Sequence, residues 1–178
     1  MMKLISVIDT QDYEFNFAVK TSQAVRAVVI ERDKILLLKS DKNNYYTFPG
    51  GKANGLDESL SECLKRETVE ETGYVINDKT IRDMGFIIVI KKDSMEENTI
   101  SNTTNYYYFA DVKKSVIATP YFNDFEIEEE LHPVFVPIKE AYEENLKVKD
   151  TMNKSFIYRD IAALKYLLDN PKYYNTKK

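Results

Sequence analysis

Residues 48–73 carry the strongest structural signal of the chain. Phe48-Pro49-Gly50-Gly51-Lys52-Ala53-Asn54-Gly55-Leu56-Asp57-Glu58 leads into Ser59-Leu60-Ser61-Glu62-Cys63-Leu64-Lys65-Arg66-Glu67-Thr68-Val69-Glu70-Glu71-Thr72-Gly73. The adjacent glycines end a strand and permit a tight turn with close approach by a phosphate chain. Ser59-x-x-Glu62 is a capping box that starts a helix of about fourteen residues, and Gly73 can close it in a left-handed conformation. At about 100° per residue, Glu67 and Glu71 fall within about 20° of Leu60, so both continue the apolar stripe of Leu60, Cys63 and Leu64. Glu70 lies beside them. Three carboxylates across one turn repel, and a cluster that extends a core-facing stripe needs cations. An all-oxygen set suits Mg2+ or Mn2+, hard ions that bridge carboxylates to a diphosphate. By itself Arg66–Thr72 reads as a solvated, salt-bridged helix and Gly50-Gly51 as a turn. Their juxtaposition points to a site.

Upstream, Tyr13–Val19, Ala24–Glu31 and Ile35–Lys39 read as strands, with Arg32-Asp33-Lys34 as a hairpin link. Downstream, Met84–Lys91 and Asn105–Val112 read as strands, and the polar stretch Lys92–Thr104 between them as a surface loop. Val134–Pro137 forms a last short strand bounded by prolines, Ile138–Asn145 a short helix, and Lys154–Leu168 a longer one. In that last helix Ile157, Ile161, Leu164 and Leu168 recur at helical spacing, and Pro171 follows its stop. The pattern is α/β, a mixed sheet with a few helices. Lys172–Lys178 is expected to fray, and no repeat or linker divides the chain.

At 178 residues the chain is expected to be one domain. Residues 1–20 read as a strand extension, pairing either across a homodimer or as an edge strand in a monomer. With 43% hydrophobic and 30% charged residues it can bury roughly 70% of its unfolded surface. Lys+Arg 25 against Asp+Glu 29 gives −4, which argues against duplex nucleic acid as a partner but leaves room for a local basic pocket. The single Cys63 excludes an intrachain disulfide and a thiolate zinc cluster, and fits a reducing, cytoplasmic setting. The lone His132, read as a loop or sheet-edge residue, excludes His-rich metal sites. The N-terminal apolar stretch is too short for a signal peptide and Phe86–Ile90 too short to cross a bilayer, so no membrane partner is expected.

Gly51-Lys52 through Glu58, Arg66-Glu67, Glu70-Glu71 and Gly73 strongly resemble the Nudix box. Arg26-Ala27-Val28-Val29-Ile30 and the closing helix also look like that family. The resemblance implies an α/β/α sandwich with a mixed sheet. It implies a loop, helix and loop that carry Mg2+ or Mn2+ and assist hydrolysis of a nucleoside diphosphate linked to another group. In that reading Arg66 orients the carboxylates, Glu67, Glu70 and Glu71 hold metal, and Glu58 is the earlier glutamate ahead of the helix. Counting back from Arg66 puts the family's first glycine at Lys52, so Gly51–Glu58 carries one extra residue. Thr68 and Tyr74 stand where aliphatic residues are usual.

The implied mechanism is attack of water at phosphorus, with Arg66, Glu70 and Glu71 in the catalytic set. Family members draw the base from the helix or from a later loop. Here Glu128, Glu129 and Glu130 are available, and Glu129 is slightly preferred as an additional ligand or base. The substrate-binding candidates are Gly50, Gly51, Lys52, Arg26 and Tyr46. Tyr45 and Tyr46 could equally form a hairpin rim, and Tyr106-Tyr107-Tyr108-Phe109 reads as core packing ahead of a base-stacking face. The expected partner is a small-molecule nucleotide: a nucleoside triphosphate, a nucleotide sugar or a related derivative. Val89 replaces the proline associated with the family's ADP-ribose branch, and no tyrosine has the spacing associated with its diadenosine polyphosphate hydrolases. The alternatives are a Nudix-like nucleotide-binding or regulatory module without turnover, and a purely structural domain.

Overall fold

A computed structural model describes residues 2–55 and 57–173, with the backbone alone at 114–117. In chain order its elements are β1 (Leu4–Asp9), β2 (Ala18–Val28), β3 (Ile30–Glu31), β4 (Lys34–Ser40), β5 (Tyr46–Thr47), α1 (Leu60–Thr72), β6 (Tyr74–Ile76), β7 (Arg82–Lys92), β8 (Thr99–Phe109), β9 (Val112–Ile117), α2 (Asp124–Glu128), β10 (Leu131–Pro137), α3 (Ile138–Met152) and α4 (Ser155–Asp169). The larger sheet has the order β1-β7-β8-β2, antiparallel at its centre and parallel at both outer pairs, so it is mixed. A second, antiparallel sheet has the order β10-β4-β3, with β5 also paired to β4. Prolines 133 and 137 are tolerated in β10 because only one of its edges is paired within that sheet.

Alternation along the strands sends side chains into two layers. Val25, Ala27, Val29 and Leu36 pack with Cys63 and Leu64 under α1. Val28, Ile35, Leu37, Ile87, Val89 and Tyr107 pack with Ala163, Leu164 and Leu167 under α4. Helices therefore cover both faces of the sheets, an α/β/α sandwich. Cys63 is wholly buried, and that burial pushes its thiol up to about 12, so it is packing and not a reactive group.

The capping box forms as the sequence predicts: Ser59 and Glu62 exchange hydrogen bonds, and Gly73 (φ 73°) ends α1 with its N–H on the Val69 carbonyl. Four expectations shift. Tyr13–Phe17 is not strand, because Asp9 bonds locally to the Gln11 amide and the Tyr13 hydroxyl while Asp12 accepts from the Lys92 amide 80 residues on, and the chain reverses. The strand of the N-terminal segment is instead β1, which pairs with β7 of its own chain. Most of Lys92–Thr104 is strand: β8 starts at Thr99, held on both edges by β7 and β2 despite its polar side chains. The helix expected at 138–145 runs on to Met152, where Asn153 stops it at φ 44°. In α4 the expected Ile157 and Leu164 are fully buried and Ile161 and Leu168 pack partly buried against the core, while Asp160, Ala163 and Leu167, not read from the sequence, join the buried face. Of the segment 172–178 expected to fray, Lys172 and Tyr173 instead belong to a 3-10 turn (Pro171–Tyr173) whose Tyr173 packs against Phe109, and 174–178, like Leu56, lie outside the described residues. No helix among the described residues is long and apolar enough to cross a membrane.

Candidate active site

The segment 49–53 runs along the edge of β2. The Ala27, Val25 and Ala53 amides bond to the carbonyls of Pro49, Gly51 and Gln23 at 2.8, 2.9 and 3.1 Å. This pairing fixes the glycine loop against α1. Gly50 has φ 138°, and a Cβ there would lie 2.0 Å from the Val25 carbonyl oxygen, so only glycine fits. A Cβ on Gly51 would lie 2.5 Å from the Glu67 carboxylate. The second glycine thus makes room for an acid group.

Arg66 organises the outer carboxylates. It forms a two-pronged pair with Glu58 (2.7 and 3.0 Å) and also bonds Glu67 at 2.7 Å and Glu70 at 3.2 Å. Its guanidinium, then the Asn54 amide, hold the Glu58 carboxyl down at about 2. The pairing with Glu58, ahead of that with Glu67, keeps Arg66 firmly charged. Despite the extra residue of the loop, in which Gly55 has φ 67°, Glu58 reaches Arg66. Thr68 is accommodated by a 2.7 Å bond from its hydroxyl to the Leu64 carbonyl, and Tyr74 packs edge-on to Phe135 at 5.8 Å.

Glu71 is different. It is 6% exposed and accepts a 2.6 Å bond from the Gly50 amide, with no cation bonded to it among the described residues. Burial raises its carboxyl well above the ordinary range, against the pull of Gly50 and Arg26, and Glu126 and Glu67 add repulsion. Burial also raises Glu67, partly offset by Arg66. Among the described residues no three acidic, His or Cys side chains form a ready-made metal centre. The donor chemistry nonetheless fits a hard divalent cation: crowded carboxylate oxygens, one buried without a bonded counter-charge.

A cavity of about 470 Å³ opens beside this helix. Glu67, Glu71, Gly50 and Gly51 form one wall, and Glu126, Asn123 and Phe125 another. Glu126 owes its position to a second capping box: Asn123 donates its amide (2.7 Å) and its side-chain Nδ2 (2.6 Å) to the carboxylate. Glu129 does not line the cavity. Its carboxylate turns to Asn43 Nδ2 (2.7 Å) and Ser40 Oγ (3.3 Å). The aromatic lining is Tyr45, Phe48, Phe125 and Phe156, with ring centroids 5.3 Å (Tyr45–Phe156) and 6.4 Å (Phe125–Phe156) apart. Tyr46 instead lies in the core, its amide donating to Asn145 Oδ1 and its carbonyl accepting from Asn145 Nδ2, both at 2.8 Å. Tyr107 and Phe109 are buried too, so the tyrosine run is packing. His132 pairs with Asp41 at 3.4 Å, away from the cavity.

The floor carries a charged network that joins Arg26 to Asn105, Arg159 and Asp160, which the sequence did not single out. Arg26 donates to the Gly50 carbonyl and to Asn105 Oδ1. Arg159 also donates to Asn105 Oδ1 (3.4 Å) and grips Asp160 at 2.8 and 2.9 Å, while Thr47 donates to Asp160 at 2.7 Å. Burial opposes the charge on Arg159, but Asp160 keeps it protonated. The signals were present as Asn123-x-x-Glu126, and as an adjacent Arg-Asp pair inside an otherwise apolar helix.

The NUDIX domain model matches residues 20–158. No curated protein matches the chain. A NUDIX hydrolase from Nitrosomonas europaea is 19% identical with a TM-score of 0.49, over 71% of this chain and 79% of its own. A MutT/nudix family protein from Enterococcus faecalis is 24% identical with a TM-score of 0.44, over 61% of this chain and 41% of its own. The E. coli ORF135 protein shares the fold at 18% identity, with a TM-score of 0.52, over 89% of this chain and 96% of its own.

Proposed function

Because this chain belongs to the NUDIX family, hydrolases that act on phosphoric anhydride bonds, we propose that it is a divalent-cation-assisted pyrophosphohydrolase of a nucleoside diphosphate derivative. The observation that carries the proposal is Glu71, a buried carboxylate without a bonded cation among the described residues, which lines the cavity together with Glu67 and Glu126.

Glu67, Glu70 and Glu71 would hold Mg2+ or Mn2+, with Glu126 approaching from the opposite wall. The bound ion would neutralise the bridging phosphates. Arg66 keeps the carboxylates of Glu67 and Glu70 in place, and Arg26 fixes the Gly50 carbonyl and with it the loop that the phosphates approach. Glu126 has no bonded cation among the described residues, and Asn123 orients it. It is the carboxylate left to take the proton from the attacking water, in place of Glu129. Lys52 stands at the rim as a phosphate contact. The nucleobase stacks against Phe125 and Phe156, whose faces suit any base. The cavity volume lies within the range of sites that enclose a small ligand.

Product analysis over a panel of nucleoside diphosphate derivatives tests this, with Mg2+ or Mn2+, with chelator, and with Glu71→Gln. Metal-dependent cleavage lost in the variant supports the enzyme. Absence of cleavage by a folded, nucleotide-binding chain replaces it with a binding module.

A further inference from the structure

On the sheet face opposite α1, three strands present one set of side chains to a recess of about 170 Å³. Ala24 and Arg26 come from β2, Ser101, Thr103 and Asn105 from β8, and Val89 and Lys91 from β7. Lys91 and Ser101 are direct register partners. The recess shares Arg26, Lys52, Phe156 and Arg159 with the active-site cavity, so the two are continuous.

Its chemistry is opposite to that of the carboxylate wall. Arg26, Lys52, Lys91 and Arg159 line it, and among the described residues no carboxylate does. Asp12 and Asp93 act on Lys91 and Lys52 from outside the lining. Among the described residues Arg26 bonds only the neutral oxygens of Gly50 and Asn105, and Asp160 is bonded to Arg159, so of the two guanidiniums only that of Arg159 has a bonded carboxylate. Ser155 and Phe156, the first residues of α4, close the recess, and the N-cap Lys154 makes no side-chain capping bond. Amides at such a helix start lack intrahelical partners and favour oxyanions. Ser101 is 5% exposed, lines the recess, and has no side-chain hydrogen bond among the described residues.

We propose that this recess is a phosphoryl-binding subsite that seats a phosphoryl group of the substrate beyond the scissile anhydride. The substrate assignment rests on the pyrophosphohydrolase reading above. Its volume is below the roughly 300–1,000 Å³ that encloses a whole ligand, so it takes one group while the neighbouring cavity takes the rest. The class it selects is a nucleotide derivative with a charged terminus, such as a nucleoside polyphosphate, over one with an uncharged sugar.

The test is an amide NMR titration of the full chain with inorganic phosphate, in chelator and at an ionic strength of about 0.15 M. Saturable shifts at Ser101, Ser155 and Phe156 are expected, with affinity at least about tenfold weaker in Lys91→Glu. Ser101→Ala, a smaller change, should weaken binding in the same direction. A second arm measures kcat/KM for a nucleoside triphosphate relative to a nucleotide sugar with an uncharged sugar. A fall of that ratio in Lys91→Glu assigns the subsite to the substrate, whereas an unchanged ratio with weakened phosphate binding assigns it to released phosphate. Phosphate binding without any turnover keeps the subsite and defeats the enzyme reading. No saturable shift, or equal affinity in Lys91→Glu, overturns the subsite.

Discussion

The Glu71 carboxylate accepts a 2.6 Å hydrogen bond from the Gly50 amide, tying the end of α1 to the glycine loop. A backbone dipole, with no bonded cation among the described residues, thus faces a carboxyl whose charge burial disfavours and Glu126 and Glu67 repel. Glutamine keeps the acceptor and removes the charge. Glu71→Gln should therefore raise the thermal midpoint of the metal-free protein while lowering turnover at least about 100-fold. Calorimetry in chelator and product analysis check the two halves; an unchanged midpoint with normal turnover would reject the strained cluster.

The paired glycines should respond in different ways. At Gly50 an added Cβ meets the Val25 backbone and a positive φ, so Gly50→Ala should destabilise by about 2 kcal/mol or more. At Gly51 the atoms nearest the added Cβ belong to the Glu67 carboxylate, the end of a flexible side chain that can swing away. Gly51→Ala should keep most of the stability in urea unfolding, yet lower metal-assisted turnover by about tenfold or more.

Two nearby acids on the α2 segment should separate in function. Glu126→Gln should reduce turnover at least about 100-fold with little loss of fold, because Gln still accepts from Asn123. Glu129→Gln should leave turnover near normal, since its carboxylate serves Asn43 and Ser40. The reverse ranking in steady-state kinetics would return the role to Glu129.

Asp160 is fully buried and neutralises Arg159. Asp160→Ala leaves a buried guanidinium without its carboxylate and should cost about 3 kcal/mol in chemical denaturation. A change below about 1 kcal/mol would mean that Arg159 finds water.

Glu58 sets an acid limit. Its folded value of about 2 lies below the ordinary carboxyl value of 4.5 because of Arg66 and the Asn54 amide. A depressed folded value contributes stability that is fully present above about pH 4.5 and is lost as pH falls toward 2. The contribution is about 1 kcal/mol once solvent screening is allowed for. Glu58→Gln should flatten the stability profile in that window, measured by urea midpoints across pH.

The α1 segment was legible because its determinants are local. Ser59 and Glu62 cap each other, Gly73 supplies the left-handed stop, and helical spacing alone puts Glu67 and Glu71 on the core side. The strands around Val25–Val29 and Ile35–Leu38 were legible for the same reason, as β-branched and aliphatic runs read strand in any register. Tyr13–Phe17 and Thr99–Thr104 were misjudged because what decides them is remote: aspartate bonds to a reversing chain in one case, and pairing with β7 and β2 in the other.

The sequence by itself determined the acidic helix, the glycine loop before it and the family they belong to, since each depends on contacts within a few residues. Tertiary structure alone decided which glutamate faces Glu71 and where the basic recess lies. Glu126 stands 55 residues from Glu71 in the chain, and Arg159 reaches Asn105 across 54 residues. Such meetings are set by how sheets and helices stack, and burial then fixes which charges go without bonded partners, a property that no local spacing encodes.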